Sequence, residues 1–225
     1  GEILTDGMGR GTMTFRWGNN HGSLMEINGQ WYVFYHRQTG RDEYSRQAMV
    51  EPVDVALDRN GKIHIGRVIW RDGEPVSCGP VEMTSQGAQV NGIDARKWIS
   101  AGYACHLHEG QEAAWIEPVY EQRADVSAPV KNITDGTIVG FRYLQFGLNT
   151  PRMLRAVIGT EKGCAVSVKL DTPDGREIAR LAVDEGEARE VRAALRGGVI
   201  GRHAVYFRFC MEEGTAEMDR FTFDD

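Results

Sequence analysis

Apolar and polar residues alternate along most of the chain in short runs that turn residues interrupt. Residues 23–27 and 30–36 flank an Asn-Gly pair, which is the pattern of a strand, a two-residue hairpin turn and a second strand. Residues 47–57 and 62–65 flank Asp-Arg-Asn-Gly and repeat that pattern. Three or four strands cannot form a stable domain alone, because their edges and faces need partners. The pattern of residues 23–65 therefore predicts one blade of a propeller or the edge of a larger sheet.

The second half of the chain carries a new series of alternating runs. Between residues 78 and 123 the alternation is lost and Gly, Ser, Asn and single aromatics accumulate, which is typical of a connection between domains. From residue 124 onward the runs predict an antiparallel β-sandwich of roughly 100 residues. Its predicted strands lie at 137–146, 153–159, 165–170, 177–183, 189–194, 203–209 and 217–223. The predicted fold class is all-β, with divisions at 1–77, 78–123 and 124–225.

Composition and charge exclude two classes of partner. The 225 residues are 41% hydrophobic and 26% charged, with a formal net charge of -6 and a pI near 5.6. No run of Lys or Arg supplies the electrostatic footprint that holds a phosphate backbone, so we expect no nucleic-acid partner. The longest apolar runs fall far short of the roughly 20 residues that cross a bilayer, so we expect no membrane span.

The N-terminus and the cysteines leave the localisation open. The chain begins Gly-Glu-Ile-Leu, with neither an initiator Met nor a signal segment, so a cytoplasmic and a secreted location are both compatible with it. The cysteines are scattered singly, without the close pairs of a zinc site or the density of a disulfide scaffold. We therefore expect reduced thiols.

One segment is rich in side chains that can contact a ligand. Residues 18–39 read GNNHGSLMEINGQWYVFYHRQT, and YSRQAMVEPV follows at 44–53. Taken alone, Asn-His-Gly before a strand is a turn that carries a polar histidine. The two runs in this order, however, closely resemble the last blade of glycoside hydrolase family 43, which includes β-xylosidases, α-L-arabinofuranosidases and arabinanases. The resemblance is strong over residues 12–57.

The rest of the chain resembles the modules that often follow this propeller. Residues 126–147 read VSAPVKNITDGTIVGFRYLQFG, residues 203–209 read HAVYFRF, and the chain ends in MDRFTFDD. These runs resemble modules related to carbohydrate-binding module family 6. The resemblance implies the last blade of a five-bladed β-propeller followed by an antiparallel β-sandwich.

The resemblance also implies an activity. Enzymes of this family hydrolyse β-xylosidic or α-L-arabinofuranosidic bonds of plant polysaccharides with inversion, so xylan- or arabinan-derived oligosaccharides are the implied partners. Three carboxylates do this work in the family: a general base, a general acid, and an Asp that orients the acid and tunes its pKa. They come from earlier blades. We therefore expect the parent protein to be a glycosidase, and this chain to be inactive without the remaining propeller blades.

Two residues match family positions that face the substrate. The resemblance implies that His21 lies near the propeller axis, at a calcium ion or its water chain; calcium prefers six to eight oxygen ligands, so waters would complete its shell. The resemblance implies that Arg46 reaches the bound sugar, because a guanidinium donates two parallel hydrogen bonds; a surface arginine is the alternative. We expect His36 and Arg37 to face a blade groove or to cap a strand and not to touch substrate, and Glu51 to be a charge at a sheet edge.

A sugar-binding sandwich would need an exposed aromatic platform, because a pyranose face stacks on Trp or Tyr. Tyr143 and Tyr206 are the candidates, although aromatic residues in strands more often belong to the core. We expect Trp98 and Trp115 to pack the module against the propeller. The turn at 171–175 is either a structural calcium site or a plain β-turn. Two alternatives to an enzyme stay open: a non-catalytic glycan-binding protein and a structural accessory module.

Overall fold

The chain folds almost entirely into β-strands. In the computed structural model, which describes residues 4–5, 21–108, 110–119 and 127–225, the single helix is one 3-10 turn at Ala101–Tyr103. The strands of this part are β1 Leu4–Thr5, β2 Gly22–Ile27, β3 Gln30–Gln38, β4 Arg46–Leu57, β5 Ile63–Arg71, β6 Glu74–Gly79, β7 Val81–Glu82, β8 Ile93–Asp94, β9 Ile99–Ser100, β10 His106–His108, β11 Trp115–Ile116, β12 Val130–Ile133, β13 Ile138–Gln145, β14 Met153–Thr160, β15 Cys164–Leu170, β16 Glu177–Val183, β17 Gly186–Ala194, β18 Arg202–Cys210 and β19 Ala216–Asp224. The all-β prediction is confirmed for these residues, and they include no helix long and apolar enough to span a bilayer.

Strands β2 to β6 form a five-stranded antiparallel sheet, here called the blade sheet. The strands are neighbours in chain order, so each is reached from the previous one through a connection at the end of the sheet. In the predicted hairpin turn, Asn28 and Gly29 both have positive φ, 51° and 83°, as a type I′ turn requires. The pairing of Ile27 with Gln30 confirms the predicted hairpin.

The blade sheet leaves apolar side chains exposed. Every residue of the edge strand β2 is exposed, including Leu24, Met25 and Ile27. Farther along the sheet, Leu57 is 65% exposed and Trp70 is 56% exposed. Apolar surface on an edge strand is a region that normally pairs with, or packs against, further chain.

Two further sheets pack face to face as a sandwich. Their strand orders are β10-β13-β18-β15-β16 and β11-β12-β19-β14-β17. Buried and less buried positions alternate along β14, where Leu154, Ala156 and Ile158 are fully buried. Aromatic rings fill the centre, where the ring centroids of Phe141 and Phe221 lie 4.6 Å apart. Burial of these side chains is the main favourable contribution to the stability of the sandwich.

The segment 78–123 also contributes strands to the sandwich. β8 and β10 pair with β13, β9 pairs with β19, and β11 pairs with β12. The sequence predicted a connection here. These strands are only two or three residues long, so they show no alternation that would identify them. The domain boundary at residue 124 stays a prediction, whereas strand pairing with the sandwich already begins at β8.

Polar side chains join the blade sheet to the sandwich. Arg37 of β3 is 1% exposed and donates to the carbonyl oxygen of Ala104. Gln47 of β4 donates to the carbonyl oxygen of Gly102 at 2.8 Å. Glu51 is fully buried on β4, where it pairs with Val33 of β3. The expectation that Glu51 is a sheet-edge charge is wrong, because its side chain is buried against Thr84 instead of lying at a solvent-facing edge.

Candidate functional site

His21 lies at the beginning of β2 and is held by the end of β3. Pairing of Gly22 with Tyr35 places His21 opposite His36. The backbone N–H of His21 donates to His36 Nε2 at 3.2 Å, and His21 Nδ1 lies 3.4 Å from the same nitrogen. The two ring centroids are 5.6 Å apart. His36 is half-buried within the sheet, so its ring is held by the residues around it, whereas His21 is exposed. The imidazole of His21 therefore lies against a ring that the sheet holds in place.

The residue after His21 is a glycine for a steric reason. A Cβ atom at Gly22 would lie 2.8 Å from the carbonyl oxygen of Phe34, closer than a real Cβ atom approaches. Glycine thus lets β2 begin close to β3, which brings His21 within reach of His36. The glycine of the Asn-His-Gly motif is therefore explained by the close approach of β2 to β3.

Arg46 is the first residue of β4 and lies at the same end of the blade sheet as His21. It pairs with Gln38, two residues beyond His36 on β3. Its side chain is exposed, and Nη2 donates to the carbonyl oxygen of Glu43 at 3.0 Å. With one such bond to the described part of the chain, this exposed guanidinium keeps further N–H donors for a ligand. The sheet thus presents an imidazole and a guanidinium at one end.

A buried carboxyl group lies at the junction with the sandwich, where the sequence did not predict one. Glu51 accepts hydrogen bonds from the Thr84 backbone N–H at 2.8 Å and from the Tyr35 hydroxyl at 3.2 Å. Loss of hydration on burial raises the pKa of Glu51 to about 7, although these hydrogen bonds and Arg37 act in the opposite direction. Burial, reinforced by the charge of Glu51, also raises the pKa of the Tyr35 hydroxyl.

The two tyrosines that the sequence proposed as a sugar platform differ in the structure. Tyr206 is 2% exposed and meets His106 edge to face, so a sugar cannot stack on it. Tyr143 is half-buried, donates to Glu82 at 2.6 Å, and carries the guanidinium of Arg202 at 3.7 Å from its ring centroid. Burial raises the pKa of Tyr143 to about 12. One face of its ring is already occupied by a cation.

An open groove of about 580 Å³ crosses one end of the sandwich. Trp115 lines it together with polar and charged side chains that include Lys131, Asn132, Glu187 and Glu217. The Trp115 indole N–H donates to Glu117 at 2.9 Å, which fixes the ring. This groove combines one aromatic ring with hydrogen-bonding groups, the two components that a saccharide requires.

The two tryptophans of segment 78–123 have different neighbours. Trp115 lies beside the blade end: a Cβ atom at Gly40, in the connection after β3, would lie 3.5 Å from the Trp115 Cβ, and the backbone N–H of Ile116 donates to the carbonyl oxygen of Thr39 at 2.9 Å. Trp98 instead lies against two guanidinium groups of the sandwich, those of Arg155 at 5.0 Å and Arg220 at 5.2 Å. The backbone at Trp115 is therefore close to the blade, whereas Trp98 covers the sandwich itself.

The described residues do not by themselves fit a calcium ion. They include no group of three or more His, Cys, Asp or Glu side chains that could hold a metal. The side-chain neighbour of His21 is a nitrogen of His36, whereas calcium prefers oxygen ligands. In the turn at 171–175, Asp171 lies 2.8 Å from His203 Nδ1, which favours a plain turn. Calcium at His21 stays a prediction that requires ligands from outside these residues.

Comparison with known sequences identifies relatives that match most of the chain. No family model matches it. A xylosidase/arabinosidase of Thermoclostridium stercorarium is 28% identical over 220 residues, which cover 91% of this chain and 42% of that protein. An arabinoxylan arabinofuranohydrolase of Bacillus subtilis is 26% identical over 219 residues, which cover 90% of this chain and 37% of that protein. The chain thus spans about two-fifths of the length of each of these two relatives.

Solved structures share the fold. A glycoside hydrolase family 43 arabinoxylan arabinofuranohydrolase from Bacillus subtilis, in complex with cellotetraose, gives a TM-score of 0.59 at 21% identity, over 92% of this chain and 41% of that one. CsCBM6-3 of Clostridium stercorarium, in complex with cellobiose, gives 0.51 at 17% identity, over 60% of this chain and 98% of that one. The predicted fold, a partial propeller followed by a sandwich, is confirmed. The resemblance inferred from the sequence is confirmed as well: about nine-tenths of this chain is similar in sequence to a xylosidase/arabinosidase and to an arabinoxylan arabinofuranohydrolase, and its fold is similar to that of a glycoside hydrolase family 43 enzyme.

Proposed function

We propose that this chain is the C-terminal part of a glycosidase that cleaves β-xylosidic or α-L-arabinofuranosidic bonds of arabinoxylan with inversion. The observation that carries the proposal is the presence of His21 and Arg46 at one end of the blade sheet, both exposed and both on the motif that resembles the family. The names of the curated relatives, a xylosidase/arabinosidase and an arabinoxylan arabinofuranohydrolase, support the substrate class.

In this proposal the chain positions the sugar and other blades supply the chemistry. An inverting glycosidase uses two carboxyl groups roughly 6.5 to 9.5 Å apart, one protonating the leaving oxygen and one activating water. We assign that pair to the preceding part of the parent protein. Arg46 donates hydrogen bonds to sugar hydroxyls, for which a guanidinium offers several N–H groups in one plane. His21 contributes a second polar contact from the beginning of β2.

The exposed apolar residues of β2 support the remaining propeller blades as partners. Leu24, Met25 and Ile27 lie on an edge strand whose residues are all exposed. A preceding blade that covered them would bury apolar surface worth roughly 25 cal/mol per Å². The relatives are more than twice as long as the matching region, which leaves room for such blades.

Hydrolysis of aryl β-xyloside and aryl α-L-arabinofuranoside tests the proposal. In the parent enzyme, Arg46→Ala should lower kcat/KM about 100-fold, because a charged hydrogen bond to the substrate is worth roughly 1.5 to 3 kcal/mol. Arg59→Ala is the control: this arginine follows the far end of β4 and its side chain is 78% exposed. The 225-residue chain alone should be inactive. Full activity of the Arg46 variant, or hydrolysis by this chain alone, contradicts the proposal.

A second candidate function, glycan binding by the sandwich, is favoured by the groove that Trp115 lines. The two solved structures that share the fold hold cellotetraose and cellobiose, which supports an oligosaccharide as the ligand class. Titration calorimetry with xylohexaose distinguishes the two functions. If the sandwich binds, Trp115→Ala abolishes binding and Arg46→Ala does not; if no glycan binds the chain, the sandwich is a structural accessory.

A further inference from the structure

The contact between His21 and His36 fixes which ring nitrogens carry protons. A backbone N–H is always a donor, so the nitrogen that faces it at 3.2 Å, His36 Nε2, must accept. A neutral imidazole has one protonated and one unprotonated nitrogen. The proton of His36 is therefore on Nδ1. This assignment follows from hydrogen-bond direction, as tautomers in proteins generally do.

The second contact extends the assignment to His21. His21 Nδ1 lies 3.4 Å from the same His36 Nε2. Because that nitrogen presents a lone pair, the contact is attractive only if His21 Nδ1 carries a proton. Both distances are at the long end for N–H donors, as expected when one acceptor is shared between two of them. His21 Nε2 is then left without a proton, on an exposed side chain.

The reverse assignment is less favourable. A proton on His36 Nε2 would aim an N–H at the His21 backbone N–H, and the two donors would repel each other. His36 Nδ1 is buried and has no hydrogen-bond partner among the described residues, so it is equally unsatisfied whether protonated or not. His36 Nδ1 therefore does not discriminate between the two tautomers of His36. The two contacts at His36 Nε2 determine which tautomer is present.

We propose that His36 is a positioning residue that holds His21 in the Nδ1–H tautomer and so makes His21 Nε2 a hydrogen-bond acceptor. Toward a sugar, this nitrogen selects a hydrogen-bond donor, which is a hydroxyl group. It complements Arg46 at the same end of the sheet, since a guanidinium only donates. The sugar contact rests on the proposed function, whereas the tautomer rests on the geometry alone.

The experiment is long-range ¹H–¹⁵N NMR of the 225-residue chain with labelled histidine at about pH 8, above the ordinary imidazole pKa. Both His21 and His36 should carry the proton on Nδ1. His36→Phe keeps a ring but no acceptor, so the His21 tautomer should change and its backbone amide should exchange at least about tenfold faster. His36→Gln, whose Oε1 can accept from the same N–H, should stay within about threefold of the wild type.

Two results overturn the proposal. One is a proton on Nε2 of His36 in the wild type, and the other is an unchanged His21 tautomer and amide exchange rate in the Phe variant. The sugar contact is tested separately in the parent enzyme. If His36→Phe changes the tautomer but leaves kcat/KM unchanged, the acceptor role toward sugar is wrong. If Arg46→Ala has no effect while the tautomer holds, the proposed function fails and the positioning of His21 stands.

Discussion

Glu51 should make the junction between the blade sheet and the sandwich sensitive to pH. Its carboxyl group is fully buried, and loss of hydration raises its pKa from 4.5 to about 7. Hydrogen bonds from Thr84 and Tyr35, and the charge of Arg37, lower the pKa but do not cancel the effect of burial. Between these two pH values, the folded chain holds a proton that the unfolded chain has released.

The sign of the stability change follows from this difference. Protonated Glu51 increases the free energy of unfolding. This stabilising contribution is fully present below about pH 4.5 and is lost as the pH rises to about 7. The difference between the two pKa values corresponds to about 3 kcal/mol. Glu51→Gln has nearly the same shape and cannot ionise. Relative to the wild type, this variant should therefore gain about 3 kcal/mol of stability between pH 4.5 and 8.

Urea unfolding monitored by tryptophan fluorescence, repeated across this pH range, measures the difference between the two proteins. Glu26→Gln is the matched control, since Glu26 is exposed on β2 of the same sheet. Its unfolding free energy should follow that of the wild type at every pH. A constant difference between Glu51→Gln and the wild type from pH 4.5 to 8 would refute the assignment of a buried, neutral carboxyl group at the junction.

Three further predictions concern the sandwich. Phe221→Ala should lower the free energy of unfolding by about 3 to 5 kcal/mol, measured by urea denaturation, because the ring is fully buried among other aromatic rings. Gly140→Ala should cost about 1 to 3 kcal/mol in the same assay, because its Cβ would lie 2.6 Å from the Tyr206 ring. A fragment of residues 78–225 should give dispersed NMR spectra and a fragment of residues 124–225 should not, because only the first contains β8 to β11.

The parts of the fold that the sequence predicted are those with local signals. The Asn28-Gly29 turn between two alternating runs fixes both the hairpin and its register. Most sandwich strands were predicted within a few residues, as for β14 at Met153–Thr160 and β16 at Glu177–Val183, because each buries alternate side chains. His21 and Arg46 both lie in the segment that resembles the family. The pairing of β2 and β4 with β3 brings the two residues to the same end of the blade sheet.

The parts that the sequence did not predict depend on contacts between distant residues. Glu51 is buried because Thr84, on a later connection, donates to it. Tyr206 could not be distinguished from an exposed platform, because Gly140 of another strand provides the space that its ring fills. The role of His36 also required the structure, because a histidine at the end of a strand gives no sign of which backbone amide it accepts from.

The junction bears on the choice between the candidate functions. A glycan-binding sandwich with the blade as a remnant would not require the two parts to share buried hydrogen bonds. Here Arg37 is buried against the carbonyl oxygen of Ala104, and Glu51 against Thr84. Each such hydrogen bond contributes on the order of 0.5 to 3 kcal/mol to stability, the upper values applying where one group is charged, which is appreciable beside the stability of an ordinary domain. The blade sheet is therefore hydrogen-bonded to the sandwich through buried groups, which favours a sandwich that holds the end of a propeller in place.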